Sequence, residues 1–431
     1  MTIHTLITVI GNPRSGTKAK SVEEKYFESE YEFPGGKKVR KSFFGAALLE
    51  HLEATTKINV SKVIVLGTKG SHWQLAIEDF CIELSPEIKF AIYENKEEES
   101  ITQTTLDKLN EIPTKDGRPK FIFCLIPEAI KPSEQIECLN LISDLTEKNT
   151  SFILDLTHGY RHLPQLIYQS CKVICSQKEC SMGGVYYGKI NLTDPSPLKQ
   201  GHAIDLSGLT SLSDIEQGAL SWKKSGNLLP LAQSLHQNPI REDLLKASHA
   251  LSVNDFVTAQ KRCCDALYKL SQDKNLEIAT PKIIKDILVE IKNSFPISNE
   301  SLFPGLVSFA EGLIERNDFT KACVVLFEGF LTNIIVKGNH KDPNNREHRE
   351  TAKAELKSIL RQFEERSRSN QVSPRLELFV SVRNILAHGS VWAGTDRNQK
   401  EAFELIGKKE LLRNLLFRVC ECLALYMSRP L

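Results

Sequence analysis

Apolar positions follow two different patterns along the chain. In the first half, short unbroken apolar, β-branched runs at 4–11, 62–67, 120–126, 151–157 and 183–190 alternate with helical-period stretches at 43–56, 73–84, 132–145 and 163–176. Strands apolar on both faces and separated by helices predict a mostly parallel, Rossmann-like sheet covered on each side. From about residue 211 the strand pattern stops, and segments such as 212–235, 251–272, 320–338 and 400–430 keep helical periodicity. The predicted class is therefore α/β plus all-α: an α/β domain over 1–205, a helical linker over 206–240 and a helical domain over 241–431.

Composition narrows the function classes. With 431 residues, two cores are expected rather than one. A formal net charge of +1 excludes binding to nucleic acid by bulk charge, so any such site must be local. The chain has no apolar run of about 18 residues, and the opening "MTIHTLITVIG" reads as a first strand rather than an export signal. A cytoplasmic protein without membrane contact is expected. The 11 cysteines are then reduced thiols, and Cys171, Cys175 and Cys180 lack metal-ligand spacing, so no metal site is predicted. The charge runs at 37–41 and 94–100 read as solvated loops or helix faces, and the polar stretch 337–353 as a break between helices.

Ligands on a parallel sheet bind beyond the carboxyl ends of its strands, so the turns there carry the candidate chemistry. "GNPRSGTK", Gly11 to Lys18, places Gly11, Asn12 and Gly16 after the first strand. Its lysine is misplaced for a nucleotide-hydrolysing P-loop; it either offers backbone N–H groups to a phosphate or is a tight turn that needs glycine. "LGTKGSHW" brings Thr68 and Lys69 to the end of the second strand. "DLTHGYRHLP" adds Thr157, His158, Gly159 and Arg161, whose planar cation suits a phosphate or a base; Asp155 and Thr157 can alternatively cap the next helix. Three such turns at one edge favour a polar, phosphorylated ligand.

"ILDLTHGYRHLPQLIYQS", "LGTKGSHW" and "VYYGKI" together resemble the CARF domains of CRISPR-associated proteins over roughly the first 205 residues. The resemblance implies a homodimeric sensor that binds cyclic oligoadenylate across its two-fold axis. It carries Thr157, His158, Gly159 and Arg161 over as ligand residues, with weaker matches at Gly11, Asn12, Gly16, Thr68 and Lys69.

The stretch "FVSVRNILAHGS" (379–390) forms a second candidate site. On a helix of about 100° per residue, with Arg383 at 0°, Asn384 falls at about 100° and His388 at about 140°. Leu378, Phe379, Val382, Ile385 and Leu386 occupy the opposite arc, and Gly389 is placed to end the helix. A solvated face with a histidine at the negative end of the helix dipole would look the same. Arg383-Asn384-x-x-Ala387-His388 also resembles the Arg-x-x-x-x-His signature of HEPN ribonucleases, and 317–335 resembles the helix that precedes it in that family. Behind a CARF-like domain, the pairing is that of the ancillary ribonucleases of type III CRISPR systems. It implies a metal-independent endoribonuclease, without cofactor, activated allosterically by cyclic oligoadenylate (cyclic tetra-adenylate favoured). The substrate would be single-stranded RNA, with Arg383, Asn384 and His388 as catalytic residues of a dimer. The rival expectations are a non-catalytic CARF sensor that regulates other molecules, and a CARF domain that degrades its own cyclic activator. Trp222 lies in the segment expected to transmit activation.

Overall fold

Strand β1 (Ile3–Ile10) shows how the first pattern becomes a sheet. Leu6 and Ile10 face one apolar cluster while Ile7 and Val9 face another, so the strand is sealed from water from Thr5 onward. The computed structural model describes residues 3–11, 28–54, 58–93, 101–114, 117–191, 198–236, 238–253, 255–294, 302–337, 345–367, 376–389 and 397–427. The chain divides into two units, Met1–Thr210 and Ser211–Leu431.

In the first unit, β1 is followed by β2 (Ser29–Glu32), β3 (Lys38–Lys41), β4 (Asn59–Gly67), β5 (Lys120–Leu125), β6 (Ser151–Asp155), β7 (Ser181–Ile190) and β8 (Lys199–Asp205). Among the described residues they form one eight-stranded sheet in the order β3-β2-β8-β7-β6-β1-β4-β5. Helices α1 (Phe44–Glu53), α2 (Trp73–Asp79), α3 (Pro86–Tyr93) and α4 (Gln103–Asn110) cover one face. Helices α5 (Pro132–Asp144) and α6 (His162–Lys178) cover the other. Strands β7, β6, β1, β4 and β5 run parallel as expected.

The β3-β2-β8 edge holds the antiparallel minority of a mostly parallel sheet. There, β7 pairs antiparallel with β8 and β2 antiparallel with β3. Of residues 37–41, expected in a solvated loop or helix face, 38–41 instead form the whole of β3. Val39 is buried, while Lys38 reaches Glu30 across the hairpin at 2.8 Å. Charged side chains on an edge strand discourage pairing with other chains. The charge run at 94–100 lies outside the described residues.

The chain enters the second unit through α7 (Ser207–Ser225). There follow α8 (Leu229–Ser234), α9 (Arg241–Ser252), α10 (Phe256–Gln272), α11 (Lys274–Ala279), α12 (Lys282–Ser294) and α13 (Leu302–Glu315). The series ends with α14 (Phe319–Lys337), α15 (Arg346–Ser367), α16 (Leu378–His388), α17 (Arg397–Ile406) and α18 (Lys409–Met427). All described elements of this unit are helical, as the periodicity predicts. Two boundaries move. The expected linker 206–240 is not separate, because Ala219, Trp222, Leu231 and Ala232 pack into the unit's main core. Trp222 is fully buried, stacks on Phe309 and donates to Glu290. The polar stretch 337–353, read as a break, is helical from Arg346 onward. Among the described residues no helix is long and apolar enough to cross a membrane.

Candidate functional sites

The reversal of strand order falls at β1, with β4 on one side and β6 on the other, which is where a ligand crevice forms on such sheets. The turns after β4 and β6 therefore flank the end of β1, while the turn after β1 lies outside the described residues beyond Gly11. The β4 turn is tied to the end of β1: the Ser71 hydroxyl donates to the Ile10 carbonyl at 2.9 Å, and His72 N–H donates to the Gly11 carbonyl at 3.2 Å. Thr68 is buried within this turn and contacts Ser71 through its hydroxyl, whereas Lys69 is exposed. Asn12 and Gly16 lie outside the described residues.

At the end of β6, Asp155 is fully buried and accepts from the Thr8 hydroxyl at 2.6 Å and from Thr157 N–H at 2.8 Å. Burial pushes its carboxyl above the ordinary aspartate range, and His158 and these hydrogen bonds oppose the rise. The Thr157 hydroxyl accepts from Gly188 N–H at 2.7 Å, linking the turn to β7. The His158 ring stacks on Phe43, 5.1 Å between centroids, and its Nε2 accepts from Phe44 N–H at 3.4 Å. His158 thus joins the turn to the start of α1. Gly159 has φ +93, and a Cβ there would stand 2.9 Å from Val9 Cγ1. Arg161, at the start of α6, is exposed, and no ion pair holds it among the described residues. Sequence reasoning missed Thr8 and Phe43, because one reads as a strand residue and the other as helical core.

Burial lowers the pKa of His158, with Asp155 pulling the other way. Since the unfolded chain then binds the proton more readily, this imidazole's contribution to stability is complete above about pH 6.5 and is lost as pH falls below that value. His4 and His51, also lowered by burial, act with the same sign. The thermal midpoint of the first unit is expected to fall between about pH 7.5 and 5.5, and His158→Gln should flatten part of that fall. Superimposable midpoint-against-pH curves for wild type and variant would show that His158 contributes nothing to it.

In the second unit, α16 forms over the predicted residues. Phe379 and Val382 are fully buried, Ile385 and Leu386 pack against the core, and Gly389 ends the helix with φ +57. Arg383 is not a free surface cation. Its guanidinium lies 4.4 Å from the centre of the Phe327 ring, Nη1 donates to Asn384 Oδ1 at 3.1 Å, and Nη2 pairs with Glu328 Oε1 at 3.1 Å. Phe327 and Glu328 come from α14. The second oxygen of Glu328 holds Arg349 of α15 at 2.6 Å. Asn384, expected to orient the imidazole or the RNA, here bonds the arginine. His388 is the last residue of α16; the position of its side chain lies outside what the structure describes. Sequence reasoning singled out neither Glu328 nor Arg349. The resemblance of 317–335 covers Glu328, but one carboxylate among many gives no signal of its own.

All 11 cysteines are free thiols, and burial raises those in the cores, with Cys323 pushed up to about 12. Among the described residues no three His, Cys, Asp or Glu side chains are grouped as metal ligands.

Residues 5–191 match the family model of the CARF domain of the CRISPR system endoribonuclease Csx1. The chain is 24% identical over 265 residues to the CRISPR-associated protein MJ1674 of Methanocaldococcus jannaschii. That match covers 55% of this chain and 40% of the relative, so the chain spans about two fifths of that protein's length. A further similarity, over 99% of this chain and 98% of the other, is to Enterococcus italicus Csm6 bound to cyclic hexa-2'-fluoro-hexa-dAMP; at 12% identity and a TM-score of 0.32 it carries no structural argument. The first unit carries a CARF domain, and the chain is similar to CRISPR-associated ancillary proteins.

Proposed function

We propose that this CARF-containing chain is a metal-independent endoribonuclease, switched on by cyclic oligoadenylate and acting in the cytoplasm as a homodimer in type III CRISPR defence. The observation that carries the reading is the Arg383 guanidinium, oriented by Phe327, Glu328 and Asn384 on a helix that ends at His388. It belongs to an all-helical unit that follows a CARF domain.

RNA supplies its own nucleophile, the 2′-hydroxyl beside the scissile phosphate, so the reaction needs no metal. His388 takes that proton or returns one to the departing 5′-oxygen, since an imidazole titrates close to neutral pH. Arg383 binds the phosphate and offsets charge gathering on its oxygens. The products are a 2′,3′-cyclic phosphate and a 5′-hydroxyl. Two subunits bring their Arg383 and His388 residues together, so that acid and base are both at hand. In the first unit, Arg161 and Lys69 meet the ligand's phosphates, while the turns holding Gly11, Asn12, Gly16, Thr68, Thr157, His158 and Gly159 shape the crevice. Ligand binding then favours dimers in which the two catalytic helices are correctly spaced.

The test is cleavage of end-labelled single-stranded RNA in EDTA with no ring, cyclic tetra-adenylate or cyclic hexa-adenylate. Cleavage that requires one ring, the tetra-adenylate by preference, and leaves 2′,3′-cyclic phosphate ends by mass spectrometry is the expected result. Intact RNA with both rings would sink the proposal. Loss of the rings themselves without RNA cleavage would instead identify a nuclease of its own activator.

A further inference from the structure

We infer that Glu328 is the positioning residue of the proposed ribonuclease site, fixing the direction in which Arg383 presents its remaining donors; this rests on the reading above. A guanidinium held over a ring can still rotate there, so Phe327 alone does not aim it. The Glu328 bond to Nη2 and the Asn384 bond to Nη1 remove that freedom. Each terminal nitrogen carries two N–H donors, so one on each remains for a ligand. That pair matches two oxygens of one phosphate. Arg383 Nε is buried and has no hydrogen-bond partner among the described residues, so binding falls to the terminal edge.

A carboxylate beside an RNA site ordinarily repels the substrate. Arg349 limits this without removing it, since it holds the other oxygen of Glu328 at 2.6 Å and leaves the three-residue group with net positive charge. The Arg383 side chain is only 18% exposed, against 32% for Glu328 and 30% for Arg349, so it is the most enclosed of the three. Positioning here works against affinity, which separates it from a merely structural ion pair.

The experiment uses the full chain with cyclic tetra-adenylate. It measures anisotropy binding of a non-cleavable 2′-fluoro RNA, single-turnover cleavage at saturating RNA, and the thermal midpoint. Glu328→Gln should bind the RNA about two- to fivefold tighter, from one fewer negative charge, and cleave about 10- to 100-fold more slowly, from a misaimed guanidinium. Its midpoint should stay close to that of wild type. Glu328→Asp, which keeps the charge but draws it back by one methylene, should slow cleavage without tightening binding. An unchanged or faster rate in Glu328→Gln overturns the inference, as does weaker binding together with a lowered midpoint. If wild type binds but does not cut, the ribonuclease reading fails by itself. The binding comparison then decides separately whether Glu328 borders the RNA, and unchanged affinity in Glu328→Gln means that it does not.

Discussion

Alanine in place of Arg383 is expected to slow RNA cleavage about 10²- to 10³-fold at saturating substrate, the usual effect of removing a preorganised donor to developing charge. Lysine should recover less than about tenfold of that loss. Arg383 meets three demands at once: a cation over the Phe327 ring, a donor to Asn384 and a donor to Glu328. An ammonium is a point charge that cannot satisfy them together. Glu328 keeps its bond to Arg349 in either variant, so the α14–α15 contact survives and the midpoint should fall little. His388→Ala should lose a similar amount of rate for a different reason, and it alone should abolish the limb of the pH–rate profile set by an imidazole. Full activity in Arg383→Ala would mean that the polar face of α16 plays no part in catalysis and that cleavage occurs elsewhere.

How much was readable beforehand depends on where each residue gets its identity. The central strands are legible because both of their faces are sealed: Leu6, Ile7, Val9 and Ile10, and Val63 to Leu66, are apolar whichever way they point. The β3-β2-β8 edge is not, because Tyr31 and Val39 are each buried between charged residues, Glu30 and Glu32 or Lys38 and Arg40. The linker was misjudged for a related reason. Trp222 and Ala219 give the helical period of any amphipathic helix, and sequence does not say which core they join. At the candidate sites, local spacing carried Arg383, Asn384 and His388 onto one helix and the Asp155–Arg161 run onto one turn. Glu328 lies 55 residues from Arg383, and Thr8 lies 147 from Asp155. Such pairs exist only once helices pack or strands register, so a single sequence cannot name them.

The β6 turn gives the second large effect. Gly159→Ala is expected to lower the midpoint of the first unit and to remove measurable binding of cyclic tetra-adenylate. Two strains coincide there, the positive φ and the 2.9 Å approach of a new Cβ to Val9 Cγ1. Each costs about 1–3 kcal/mol, and a unit of this size loses about 2–4 °C per kcal/mol. Val9 belongs to the buried face of β1, so it cannot swing aside without opening the core beneath the crevice. The turn must therefore shift instead, and with it the bonds of Thr157 to Gly188 and of His158 to Phe44. Val9→Ala in the same chain relieves the contact but not the φ. If the double variant regains part of the midpoint and none of the ring binding, backbone shape at Gly159 is what the ligand reads. If Gly159→Ala alone binds cyclic tetra-adenylate as wild type does, the crevice at β1 and β6 is not the sensor site.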